Sequence, residues 1–246
     1  MKKLFLIIFL LLSIFLIAVD ADIYTTDLGW MQYGDGTYAN ARNATTAENL
    51  TTATYLAIGQ REGVEYDVYR TFMSFAIPEM ESASACTLKV YGRQDSSDDD
   101  FILYVLSADD SATELTTADY NAFDGWVSED TFTGVNLIDS YTVSTNFVDD
   151  AYNNLIFNAA GIDSLEAASG DYLWIVILSK EDYDNSAPGS GRDEYVLYEL
   201  DTEDQEPYLS INYTPAGWTG KACGVENPKG ILGILKASVK NFLGVE

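Results

Sequence analysis

The chain contains no histidine, and that absence removes most routes to catalysis at the outset. Imidazole acid–base chemistry, Ser-His-Asp triads and the usual zinc sites all need the missing residue. Cys86 and Cys223 are the only cysteines and are too far apart in sequence to form a metal motif. Gly34-x-Gly36 and Gly189-Ser190-Gly191 lack the strand–glycine–helix context of a phosphate loop and read as turns. Carboxylates and aromatics remain. A glycosidase needs only two carboxylates, but 39 Asp plus Glu present no pair that spacing singles out, so the expectation is a protein that is not an enzyme. Asp182, Asp184 and Asn185, in KEDYDNS, alternate oxygen donors of the kind Ca²⁺ takes. Their spacing is far short of an EF-hand, and an ordinary exposed loop is the competing reading. Trp30, Tyr33, Tyr38, Trp126 and Tyr183 lie in irregular stretches and are the candidate ligand-binding residues. Open aromatic faces stack on sugar rings while nearby polar groups read hydroxyls. Trp174 and the tyrosines of strand-like runs are expected in the core. Arg70 could touch a ligand, but a strand arginine in so acidic a chain is expected to pair with a carboxylate.

The formal charge of −26 argues against nucleic acid and acidic polysaccharides as ligands, because the body repels polyanions. Any glycan partner is therefore expected to be neutral. Charge is distributed unevenly: residues 217–246 carry Lys221, Lys229, Lys236 and Lys240 against only Glu226 and Glu246. The body is more acidic than the whole chain, and the tail is slightly basic.

The N-terminus reads as a leader. Lys2 and Lys3 precede an apolar block from Leu4 to Val19, and Val19-Asp20-Ala21 places small residues at a cleavage position. The expected organisation is a signal peptide over 1–21, one domain over 22–216 and a tail over 217–246. Export without a permanent membrane span follows, with an extracellular or cell-surface location. In an oxidising compartment Cys86 and Cys223 could bridge the tail to the body; the alternative is that Cys86 is a buried small hydrophobe. Asn43, Asn49 and Asn212 each begin a glycosylation sequon.

Positioning falls to strands. Tyr66–Ile77 alternates with period two and stops at Pro78; after a polar connector at 79–84, Cys86, Leu88 and Val90 share one face of a second run while Thr87, Lys89 and Tyr91 share the other. The pair reads as a hairpin-like unit. Residues 22–54 offer only short strand-like pieces, 54–58 a short strand, and 59–63 a turn. Further strands are expected at 101–107, 135–143, 154–159 and 171–179, the last central. A helical turn is expected at 162–168, and a closing strand pair at 195–200 and 207–213. Strands at such intervals with almost no helical periodicity predict an all-β, jelly-roll-like antiparallel β-sandwich.

The order YLAIGQREG, YRTFMSFAIPE, ASACTLKVYG and, about 120 residues later, EPYLSINYTP resembles the DNRLRE-type domain, also grouped as a family 96-like carbohydrate-binding module. Arg70, Phe75, Ala85, Leu88, Val90 and Tyr91 carry the first part of the resemblance, and Pro207, Tyr208, Leu209, Ile211 and Tyr213 the last. The resemblance implies a β-sandwich and carbohydrate binding; its motifs are fold signatures. Acidic-polysaccharide binding known in that family does not suit this acidic body.

In the tail, Asn227-Pro228 resembles a helix start, and Ile231, Leu232, Leu235, Val239 and Phe242 recur at helical spacing. Gly230, Gly233 and Gly244 favour a non-helical alternative. Two functions are thus expected: a carbohydrate-binding or adhesive surface module, or a structural surface protein, filament-like or phage-like, whose tail mediates self-association.

Overall fold

The computed structural model describes residues 18–52, 54–108, 114–127, 132–200 and 204–216, with the backbone alone of 221–222 and 225–226. Residues 4–17 of the apolar leader block, Cys223 and the expected tail helix lie outside the described residues, while Val19, the last residue of the block, already belongs to the first strand. The fold is all-β and antiparallel. Its strands are β1 (Val19–Asp35), β2 (Asn49–Thr51), β3 (Tyr55–Glu62), β4 (Tyr66–Ala76), β5 (Met80–Asp95), β6 (Ile102–Ser107), β7 (Tyr141–Thr142), β8 (Tyr152–Ile156), β9 (Tyr172–Ser179), β10 (Asp193–Glu199) and β11 (Tyr208–Pro215). Among the described residues four short α-helices interrupt them: α1 (Tyr38–Asn43), α2 (Val143–Asn146), α3 (Ala159–Ala167) and α4 (Lys180–Tyr183).

Two long strands close the sheet on itself. The first part of β1 pairs with β11, from Val19 opposite Tyr213 to Tyr24 opposite Tyr208. After an irregularity between Thr25 and Asp27 its second part pairs with β4. Similarly, β5 pairs with β11 from Met80 to Lys89 and with β8 from Thr87 to Tyr91, and reaches β10 through Gly92–Asp95. The circuit β1–β11–β5–β10–β3–β4 thereby returns to β1, giving barrel-like closure. The main core fills it, with Cys86, Leu88, Val90, Leu209, Ile211, Leu173, Ile175 and Ile177 pointing inward.

Several expected elements move. The stretch 22–54 is dominated by β1, the longest strand among the described residues, whose first half is half-solvated and alternates with polar Asp and Thr. β4 and β5 do not pair: β4 is flanked by β1, β3 and β9, and β5 by β11, β8 and β10. The hairpin-like unit is thus two consecutive strands without a shared ladder, and the polar connector is itself largely strand. The closing strands β10 and β11 likewise do not pair, since β5 stands between them. Residues 135–143 contribute only the two-residue β7, and the single helical turn is the nine-residue α3. β3 runs straight through the expected turn at Gly59.

Gly59 shows why. It lies between Tyr69 of β4 and Tyr195 of β10, at φ +124°, and a Cβ there would sit 2.1 Å from the Glu194 carbonyl oxygen. Only glycine meets both demands. Gly59→Ala is expected to cost at least about 2 kcal/mol of unfolding free energy, as read from urea denaturation.

Candidate functional site

β4 and β9 are buried on both faces, which requires a cover outside the main core. One face of β9 (Leu173, Ile175, Ile177) belongs to that core; the other (Trp174, Val176, Leu178) packs in a second cluster with Phe72, Met31, Tyr120, Phe123 and Phe132. α1, α4 and the segments around 115–126 and 132–134 form the cover. Arg70 points into this second layer from β4, on the same face as Phe72.

There Arg70, Arg42 and Asp182 meet with essentially no solvent exposure. Arg70 Nε and Nη2 donate to Asp182 Oδ2 and Oδ1 at 2.8 and 2.9 Å. Its remaining donors reach the Tyr120 and Arg42 carbonyls and Asn121 Oδ1. Arg42 Nε donates to the Asp182 carbonyl at 2.7 Å and lies 3.4 Å from its carboxylate. Two positive charges face one negative charge. Aromatic faces and carbonyl oxygens take up the excess: Arg42 lies 4.0 Å from the Phe132 ring centroid, and Arg70 4.3 Å from that of Tyr120. Burial lowers the affinity of Arg42 for its proton, against the pull of Asp182. At Arg70 burial acts the same way, but Asp182 and its hydrogen bonds outweigh it and raise the pKa. Both guanidiniums stay charged.

This constellation joins α1, β4, α4 and the 120–132 cover, and it is closed to solvent. It is the carboxylate pairing expected of Arg70. Asp182 is therefore engaged by arginines, while Asp184 faces solvent in an ion pair with Lys180 and Asn185 is exposed with φ +56°. The three oxygen donors proposed for Ca²⁺ occupy different surroundings, and among the described residues no three acidic or thiol side chains cluster as a metal site.

The five aromatic candidates separate as well. Trp30 is buried, stacked on Tyr55 and edge-on to Tyr69. Tyr38 is buried and its hydroxyl donates to Gln60 Oε1. Trp126 and Tyr183 are partly buried and both contact Phe132, with the Tyr183 hydroxyl bonded to the Gly134 carbonyl. Tyr33 alone borders an open groove. The sequon asparagines differ too: the Asn212 amide bonds Ser84 and Asp20, Asn43 Oδ1 accepts from Arg42, and Asn49 is exposed on the edge strand β2. Cys86 is buried opposite Ile211, and burial pushes its thiol up to about 12.

A surface missed among the candidates lies on the outer face of β1, β11, β5 and β8. Tyr24, Tyr208, Tyr152 and Tyr91 make a continuous row, with successive ring centroids 5.4, 5.2 and 5.3 Å apart. Tyr24 is 53% exposed and the other three are half-buried. Register sets polar side chains beside the rings: Tyr24 and Tyr208 align with Lys89 and Asn154, and the next row holds Asp22, Ser210, Thr87 and Ile156. The Tyr91 and Tyr152 hydroxyls donate to the carbonyls of Asp150 and Asp204, which fixes both rings. Tyr91 had a legible signal, since it shares the face of Thr87 and Lys89 opposite Cys86, Leu88 and Val90.

No protein-family model matches the chain, and no curated relative matches it.

Two outcomes test the buried layer. Arg70→Met leaves two carbonyls and part of Asp182 without donors and is expected to cost about 3–5 kcal/mol by denaturant titration. Glu181, on α4, has a buried Oε2 without a partner. Burial pushes its carboxyl up to about 7; Glu194 adds to the rise, while backbone N–H groups, including that of Ile102, and Lys180 oppose it. The folded state thus holds a proton that the unfolded chain releases near its ordinary value of 4.5, so this group's contribution to stability declines as pH rises between those values. Glu181→Gln is expected to flatten that decline and raise Tm at alkaline pH, measured by thermal melts across the range.

Proposed function

We propose that this chain is an exported, non-catalytic carbohydrate-binding or adhesive module that holds a neutral glycan on the tyrosine row. The row itself is the observation that carries this reading. A sugar chain needs apolar ring faces with hydroxyl-reading groups at their edge, on a support that does not rearrange on binding. The outer face of β1, β11, β5 and β8 offers four tyrosines, with Asp22, Ser210, Thr87, Lys89 and Asn154 within the adjoining register. The sequence resemblance to DNRLRE-type carbohydrate-binding domains agrees with this reading. The acidic surface is compatible with it, since it repels polyanions and leaves an uncharged polymer unaffected. We read the closed sheet as a jelly-roll-like sandwich in which β1 and β5 pass from one layer to the other. Among the described residues no helix is long and apolar enough to cross a membrane, and the apolar leader supports release to the cell surface or beyond.

Tyr24 and Ile156 are both about half exposed on this same face, which favours one second reading: contact with another copy of the chain, as in a structural surface protein. A glycan array on the exported chain separates the two. The expected result is binding to neutral polysaccharide, weakened at least about tenfold, near 1.4 kcal/mol, in Tyr24→Ala and Tyr208→Ala proteins that melt normally, while Trp126→Ala retains binding. A blank array, with oligomers that dissociate on Tyr24→Ala or on deletion of 217–246, would establish the assembly role instead.

A further inference from the structure

A groove of about 850 Å³ runs beside α1, lined by Tyr33, Asp35, Asn40, Asn43, Thr45 and Thr46 among others. Its volume lies in the range of small-molecule sites, and among the described residues no cationic side chain lines it. Two of its polar groups are held in fixed orientation by neighbours. Asp35 Oδ1 accepts from the Thr37 backbone N–H at 2.9 Å, from the Thr37 hydroxyl at 3.2 Å and from Asn40 Nδ2 at 3.1 Å. These bonds keep the carboxylate ionised and involve one oxygen, leaving Oδ2 as an acceptor. Asn43 Oδ1 accepts from Arg42 Nη1 at 2.9 Å, so the amide oxygen is committed to the buried layer and its NH₂ is the end left for a ligand. The Thr45 and Thr46 hydroxyls are exposed and can donate or accept, and Tyr33 supplies an aromatic wall.

We propose that this groove is a second recognition site, binding one or two units of a neutral, hydroxyl-rich ligand, namely a sugar with adjacent hydroxyls. A carboxylate oxygen accepts from such hydroxyls and an amide donates to them, whereas an anionic ligand would meet Asp35 with nothing to offset the repulsion. The proposal extends the carbohydrate reading without depending on the same residues. Tyr24 and Asp35 stand eleven positions apart on β1, on the order of 35 Å along the strand. One chain with both sites can hold two glycan segments at once and so cross-link a matrix.

The test uses the exported chain, made in a host that does not glycosylate Asn43. Methyl β-D-glucopyranoside, methyl α-D-mannopyranoside and N-acetylglucosamine serve as neutral probes, with glucosamine as the cationic comparison, followed by amide-shift NMR and calorimetry. At least one neutral probe is expected to shift the amides of Asp35, Asn40 and Asn43. Asp35→Asn retains an acceptor for Thr37 and should weaken that binding at least about tenfold. Thr45→Val should weaken it too, and Tyr208→Ala should leave it within about twofold. Silence of those amides with every neutral probe would overturn the proposal, as would binding of glucosamine alone. A ligand lost with Tyr208→Ala but kept by Asp35→Asn belongs to the sheet face, which refutes the groove and leaves the tyrosine reading intact. Groove shifts that persist while the glycan array stays blank refute the tyrosine row and keep the groove.

Discussion

Both carboxylate oxygens of Asp182 accept from one edge of the Arg70 guanidinium, and Asp182 lies against Arg42, so three ionised groups with a net positive charge sit sealed inside a protein whose formal charge is −26. Such a cluster is tolerated only where every donor is met and the excess charge is dispersed. The fold meets that demand by drawing parts remote in sequence to one point. α1 contributes Arg42, β4 contributes Arg70, α4 contributes Asp182, and the intervening cover brings Tyr120, Asn121 and Phe132. Satisfying the arginines is therefore equivalent to docking the loops. A hydrophobic layer alone would hold these segments against β4 and β9 but would leave their register loose, whereas a bidentate pair has one geometry.

The same constraint reaches the surface. Arg42 has its Nε fixed on the Asp182 carbonyl, and its Nη1 then orients the Asn43 amide at the groove. Tyr120 bonds the Ala41 carbonyl and Asn121 the Ala44 carbonyl, so both flanks of the Asn43 position are tied to the cover. The tyrosine row is independent of this network. It rests on β1, β11, β5 and β8, whose inner faces pack in the main core. The two proposed recognition surfaces thus draw their rigidity from two different interiors, one apolar and one ionic.

What could be read from the chain follows the range over which each signal acts. Alternation along 66–77 and 86–91 is local, and the strands are there. So is the double-sided burial of the apolar run at 172–179, because such a run has no polar face to show. Pairing is not local: nothing in β4 and β5 reports that they join different partners, since a short connection between apolar strands is equally consistent with a hairpin. β1 is hard to read locally because its first half keeps one face wet, and Asp20, Asp22 and Thr26 then look like loop. Arg70 was legible as one member of an ion pair, but Asp182 was not, because its loop also carries Asp184 and Asn185 and presents the same oxygens as a cation site. An aromatic in a stretch that reads as irregular need not reach the surface: Trp30 lies within β1 and Tyr38 within α1, both buried, while strand tyrosines such as Tyr24 face out.

Charge gives the two surfaces a common logic. An acidic exterior resists polyanions at long range but leaves uncharged polymers unaffected, so discrimination must come from contact. Tyrosine suits that role because its ring offers stacking area with few rotors to freeze, and hydrogen bonds to the Asp150 and Asp204 carbonyls already restrict Tyr91 and Tyr152. At the groove the ordering is achieved by Thr37, Asn40 and Arg42 instead. In both places a ligand would meet groups whose conformational freedom was surrendered on folding. A weakly interacting neutral glycan supplies few strong bonds with which to offset such losses itself.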